Sequence, residues 1–94
     1  MTIDLDKVLY IETATVPHKL NIVKDNGVSF ISGNLKKFEE DTSKLLRISQ
    51  SCLINPKKVS QVDISKNEVI FLNGDIQKYS RRMRNYMKKW QNRM

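Results

Sequence analysis

Nucleophilic catalysis needs an attacking side chain and a base to activate it. This 94-residue chain offers His18 as its one histidine and Cys52 as its one thiol, and no serine sits in a glycine elbow, which argues against a hydrolase. One His and one Cys cannot supply the usual nitrogen or sulfur set for zinc, and Asn73-Gly74-Asp75 lacks the repeated carboxylates of a calcium loop. The three glycines, Gly27, Gly33 and Gly74, stand alone at turn signals and not in a phosphate-cradling motif. No enzyme, metal or cofactor is expected. What remains is binding, and the stretch suited to it is Leu45 to Asn55, LLRISQSCLIN. Arg47, Ser49, Gln50, Ser51 and Asn55 are interleaved there with Leu45, Leu46, Ile48, Leu53 and Ile54, the pattern of a polar loop pinned on both sides by buried backbone.

The composition names the class of partner. Seventeen Lys and Arg against ten Asp and Glu give a formal charge of +7 and a pI near 9.7, a field that favours a polyanion, nucleic acid first and anionic membrane second. From Ile76 to Met94 the basic residues Lys78, Arg81, Arg82, Arg84, Lys88, Lys89 and Arg93 occur with no acidic one, so the positive field is concentrated at that end. No apolar run is long enough to span a bilayer, and Met1 to Lys7 lacks the regions of a signal peptide. A lone cysteine suits a reducing, cytoplasmic setting. Length and apolar content of 39% fit one small globular domain with a single core.

The elements that must position these residues are mostly short strands. Val8 to Ile11 is a β-branched and aromatic run expected as a buried strand, and Thr13 to Pro17 is irregular. Leu20 and Ile22 alternate with Lys19, Asn21 and Val23, and the Asp25-Asn26-Gly27 turn returns the chain as Val28 to Ile31, an antiparallel hairpin. Asn34 is placed to cap a short helix carrying Leu35 and Phe38. Leu45 to Ile48 is strand-like, Asn55-Pro56 marks a turn, and Val59 to Ile64 is a less regular strand. Glu68 to Leu72 and Ile76 to Tyr79 flank Asn73-Gly74, the strongest hairpin signal present. Ser80 is placed to cap a terminal amphipathic helix with Met83, Tyr86, Met87, Trp90 and Met94 on its apolar side.

Arg47, Ser51 and Asn55, at spacing R-x-x-x-S-x-x-x-N among apolar residues, resemble the signature of the LytTR family of bacterial DNA-binding domains. Val8 to Glu12, Gly33-Asn34-Leu35, Asn73-Gly74 and Tyr79-Ser80-Arg81-Arg82 follow in the order of that family's early strand, short helix and last hairpin, so the likeness runs from about Lys7 to Trp90. It implies an elongated, mainly β fold of antiparallel sheets with one short internal helix and a C-terminal amphipathic helix. It also implies sequence-specific binding of double-stranded DNA by loops in successive major grooves, as the effector domain of a two-component transcription regulator. The partners it implies are promoter direct repeats and a receiver domain of the same regulator, and it allows a dimer on DNA.

Carried over residue by residue, the base-reading positions fall on His18, Gln50 and Arg82, with Arg81 beside it. Gln pairs bidentately with adenine, Arg with guanine, and a His edge can meet guanine N7. Lys19, Arg47, Ser49, Lys57, Lys58, Lys78 and Ser80 are the expected phosphate contacts. Two departures stand out: Ser49 replaces a histidine common at its place, and Leu46 an aromatic. The family's extra first strand is either missing or replaced by Met1 to Leu5.

Less specific readings accompany these. His18 and Gln50 can be solvated loop residues, and Arg81 and Arg82 can decorate a helix surface, although cations at a helix start are easier to explain with an anion nearby. Met83, Tyr86, Met87 and Trp90 are expected to dock on a sheet, Cys52 to fill core, and Ser51 and Asn55 to fix the turn. Two rival functions use the basic helix or exposed aromatics. Peripheral membrane attachment would insert Trp90 and the methionines, and RNA binding would need aromatics exposed on a sheet, whereas Tyr10, Phe30 and Phe71 lie in apolar runs.

Overall fold

The computed structural model describes residues 4–92. It is mainly β and elongated, 36 × 24 × 23 Å. The strands are β1 (Val8–Thr13), β2 (Lys19–Lys24), β3 (Gly27–Ser32), β4 (Leu46–Ser49), β5 (Cys52–Ile54), β6 (Val59–Asp63), β7 (Glu68–Phe71) and β8 (Ile76–Lys78). Helix α1 (Leu35–Asp41) joins β3 to β4, and α2 (Arg84–Gln91) ends the described chain. Five strands form one antiparallel sheet in the order β3-β2-β1-β5-β4, and β6-β7-β8 form a second.

The larger sheet is apolar on both faces at its centre, which is why β1 reads as a continuous apolar run. One face, with Ile11, Leu20, Ile22 and Leu53, packs on Leu35 and Phe38 of α1. The other, with Leu9, Tyr10, Ile48, Cys52 and Ile54, meets Val59, Val62, Val69 and Phe71 of the smaller sheet. Leu9 and Tyr10 are neighbours that serve the same layer because a bulge interrupts β1 between Val8 and Tyr10. Tyr10 and Phe71 rings meet at 4.8 Å across the layers. Full burial of such a side chain contributes about 1.5 to 3 kcal/mol, so this layer carries much of the stability. At its rim Tyr10 Oη donates to Asp75 at 3.0 Å and Gln77 Nε2 donates to Glu12 at 3.1 Å.

Most expected elements are present, with five physical differences. The irregular alternation from Val59 arises from a second bulge, between Val59 and Gln61. Ser80 makes no side-chain cap bond, and Arg81–Met83 forms a 3-10 turn before α2 begins at Arg84. Tyr86 is 51% exposed, against the expectation that it docks, whereas Met87 is buried and Met83 and Trp90 pack on the inter-sheet layer. Tyr86 projects about 100° around the helix from Met87, outside the seam. Phe30, expected to be shielded by its apolar run, is 56% exposed on edge strand β3. Residues 1–3 of the stretch considered as a substitute first strand, and Met94, lie outside the described residues; Leu5–Lys7 is a 3-10 turn and not a strand.

Candidate nucleic-acid interface

Strand direction gathers three loops at one end of the larger sheet. Thr13 pairs with Leu20, Lys19 with Ser32, and Glu12 with Cys52, so the turn before β2, the β3–α1 junction and the β4–β5 turn emerge side by side. Main-chain bonds join them: Gly33 N donates to His18 O and Thr13 N to Ser51 O, each at 3.0 Å, and Ser80 N donates to Ile48 O at 2.8 Å. The last of these brings the segment before α2 to the same end.

Each loop is held for a local reason. His18 has φ of 63°, in the left-handed region that histidine enters more readily than most non-glycine residues, and its side chain is exposed. Gln50 occupies the two-residue turn between β4 and β5 and is exposed. Arg47 braces that turn: Nε donates to Ser49 O at 2.6 Å, Nη2 to Gln50 O at 2.7 Å, and Nη1 lies 3.6 Å from Glu39 Oε1 on α1. Ser49 Oγ accepts from Ser51 N at 3.2 Å inside the turn. Behind it, buried Asn55 donates from Nδ2 to Leu5 O at 3.2 Å and Val8 O at 2.9 Å, while Oδ1 accepts from Lys57 N at 3.1 Å. Arg47 and Asn55 are therefore committed to bonds within the protein, and the residues between them that face solvent are Gln50 and Ser51.

The surface so formed has two adjoining depressions. One is lined by Lys36, Glu39, Arg47, Ser49, Gln50, Ser80, Arg82 and Met83, the other by His18, Lys19, Asn34, Lys36, Arg47 and Gln50 among others. Lys36, Arg47 and Gln50 belong to both. Of the residues singled out from sequence, His18, Lys19, Arg47, Ser49, Gln50, Ser80 and Arg82 are thus brought together. Arg81 is exposed but lines neither depression, and Lys78 sits on β8 opposite Glu68. Lys57 and Lys58 are not brought there. They follow the far end of β5, where Lys58 Nζ pairs with Asp25 at 2.8 Å at the β2–β3 turn. Lys19 is also partly committed, donating to Ser32 Oγ at 2.6 Å and lying 5.7 Å from the Phe30 ring centre.

Lys36 is the residue that sequence reading missed. Its one signal was a lysine in the first turn after cap Asn34, where acidic residues are usual. Only the fold shows that this turn abuts the Gln50 loop.

Chemically the surface offers an amide, an imidazole and a guanidinium on separate loops, with further cations between them. The thiol nearest the turn belongs to the core: burial, with the Glu12 charge adding to it, pushes Cys52 from 9.0 to about 12. The apolar side of α2 packs on the inter-sheet layer, with Met87 buried and Met83 and Trp90 partly buried, so these side chains are already engaged with protein and not presented as a lipid-inserting face. Among the described residues no helix is long and apolar enough to cross a membrane.

The family model for the LytTr DNA-binding domain matches residues 1–92. A solved structure similar to this chain is the LytTr DNA-binding domain of a protein described as a methyl-accepting/DNA response regulator from Bacillus cereus. The likeness has a TM-score of 0.78 at 18% identity, covering 95% of this chain and 84% of that one. Comparison with curated proteins gives no match.

Proposed function

The chain belongs to the LytTR family of DNA-binding domains, and on that premise we propose that it is the sequence-specific DNA reader of a bacterial transcription regulator. Its loops enter successive major grooves of double-stranded DNA at one end of the larger sheet. The observation that carries this reading is that His18, Gln50 and Arg82, from three separate loops, rim the two adjoining depressions. Each has the donor and acceptor pattern to read a base edge in a major groove.

In this reading Gln50 reads an adenine, Arg82 a guanine, and His18 an acceptor such as guanine N7. Arg81 is a neighbour of the reading position. Ser49 and Ser80 donate to phosphates, with Lys19 and Lys78 at the margin. Arg47 contributes by presenting Gln50. Lys57 and Lys58 add to the general field from the opposite end. Promoter direct repeats would suit two such domains side by side, and a receiver domain of the same regulator would supply the signal, in the cytoplasm where the DNA is.

Fluorescence anisotropy of the full chain on a duplex selected from a random pool tests this, with His18→Ala, Gln50→Ala and Arg82→Ala beside the unaltered protein. Each variant is expected to lose discrimination at its own base pair. Equal losses on every duplex for all three would refute the assignment.

A further inference from the structure

We propose that Lys36 is a positioning residue for DNA, holding a backbone phosphate on the ridge between the two depressions; this rests on the DNA-reading function above. Four cations line those depressions: Lys19, Lys36, Arg47 and Arg82. Lys19 is bonded to Ser32, and Arg47 to the Ser49 and Gln50 main chain and to Glu39. Among the described residues only Lys36 and Arg82 of these four have no hydrogen-bond or ion-pair partner.

A purely structural lysine at this place on α1 would pair with Glu39 or Glu40, three and four residues on, where helical geometry puts side chains within reach. Neither holds it. Glu39 is turned to Arg47 instead, at 3.6 Å. Lys36 is left exposed on a depression that Arg82 also lines, with the one carboxylate there, Glu39, engaged by Arg47, an arrangement that gains from an arriving anion.

Position and chemistry together decide which part of the ligand Lys36 meets. Like Arg47 and Gln50 it lines both depressions, whereas His18 lines only one and Arg82 only the other. Gln50 is a neutral amide and Arg47 is bonded to the Ser49 and Gln50 carbonyls, so Lys36 is the cation common to both that has no partner among the described residues. Between two loop insertions runs the sugar–phosphate backbone, and an ammonium is a point charge suited to phosphate and carries no base-edge code. The neighbouring Lys37 supplies the control. It lines a separate depression with Ile31, Ser32 and Phe38.

The test is anisotropy on the full chain across a salt series, with one pool-selected duplex and one unrelated duplex of equal length. Lys36→Ala is expected to weaken both duplexes alike, by roughly five- to tenfold near 0.1 M salt, and to make the slope of log K against log salt shallower by about 1. Lys36→Arg should restore both, and Lys37→Ala should leave both near the unaltered values. Lys36→Ala with unchanged affinity and slope, or with loss confined to one base pair, would overturn this proposal alone. An unaltered protein that bound neither duplex would overturn it together with the DNA reading.

Discussion

Arg47 holds Gln50 by its main chain: Nη2 donates to the Gln50 carbonyl at 2.7 Å while Nε holds the carbonyl of Ser49 at 2.6 Å. The arginine of the family signature is thereby turned inward and the glutamine outward. A planar guanidinium meets the two successive carbonyls from separate, rigidly spaced N–H groups, whereas an ammonium must serve both from one atom without that fork. Arg47→Lys is therefore expected to cost about 1 kcal/mol of stability, modest because the side chain is partly exposed. It should also lower discrimination between selected and unrelated duplexes. Were Arg47 a phosphate contact instead, the retained charge would preserve binding, so denaturant melts and anisotropy on this one variant separate the two roles.

Gln50→Ala is expected to relax preference at one base pair by about 1 to 3 kcal/mol. Arg82→Ala should do the same at another, and Arg81→Ala, whose side chain lines neither depression, should change selectivity little. Binding to a panel of single-base-pair variants of the selected duplex reads all three. Matching profiles for Arg81→Ala and Arg82→Ala would show that the depression does not distinguish them.

Asn55 is 4% exposed, and its side chain satisfies two carbonyls and one amide. Asn55→Leu removes these three bonds, the one to the Val8 carbonyl being buried, and should destabilise the domain by about 2 to 3 kcal/mol. DNA preference measured on the folded fraction should be unchanged. A shifted base preference would place Asn55 in the reading surface.

Lys58→Ala breaks a pair with Asp25 at the end of the sheet opposite Gln50. Affinity for DNA is expected to fall less than for Lys36→Ala, and stability by no more than about 1 kcal/mol, as for exposed pairs. Side-by-side salt titrations compare the two lysines.

Alkaline pH gives a further check. Burial, with the bond to Asp75, holds the Tyr10 hydroxyl up from 10.0 to about 12, and burial likewise holds the Cys52 thiol up from 9.0 to about 12. Both groups keep their protons longer folded than unfolded, so their contribution is full below pH 9 and is lost as pH rises from about 9 to 12. Denaturant midpoints should decline over that window, and Cys52→Ala should remove the part that begins near 9. Thiol-directed alkylation of the native protein at pH 8 should be slow.

Much of the fold was legible because local chemistry and tertiary need agree: Asn34 does cap α1, accepting from Lys37 N at 3.0 Å, and Asn73-Gly74 does turn the chain, with Gly74 at φ of 92°. Bulges were not legible, since one extra residue such as Leu9 changes which neighbours share a face without changing composition. The candidate site was legible by residue type and only partly by place. Lys57 and Lys58 follow Gln50 by a few residues, yet the extended strand β5 carries them to the opposite end, while Lys36, distant in sequence, is brought beside it. Tyr86 follows the helical spacing, but the seam of α2 centres on Met87 and leaves it in solvent.

Binding of the unaltered chain to a pool-selected duplex and to its scrambled counterpart, followed through a salt series, tests the reading of DNA most directly. Affinity for the selected duplex is expected to exceed that for the scrambled one by about a thousandfold or more near physiological salt, with both falling as salt rises. Equal affinity for the two duplexes across the series would contradict it.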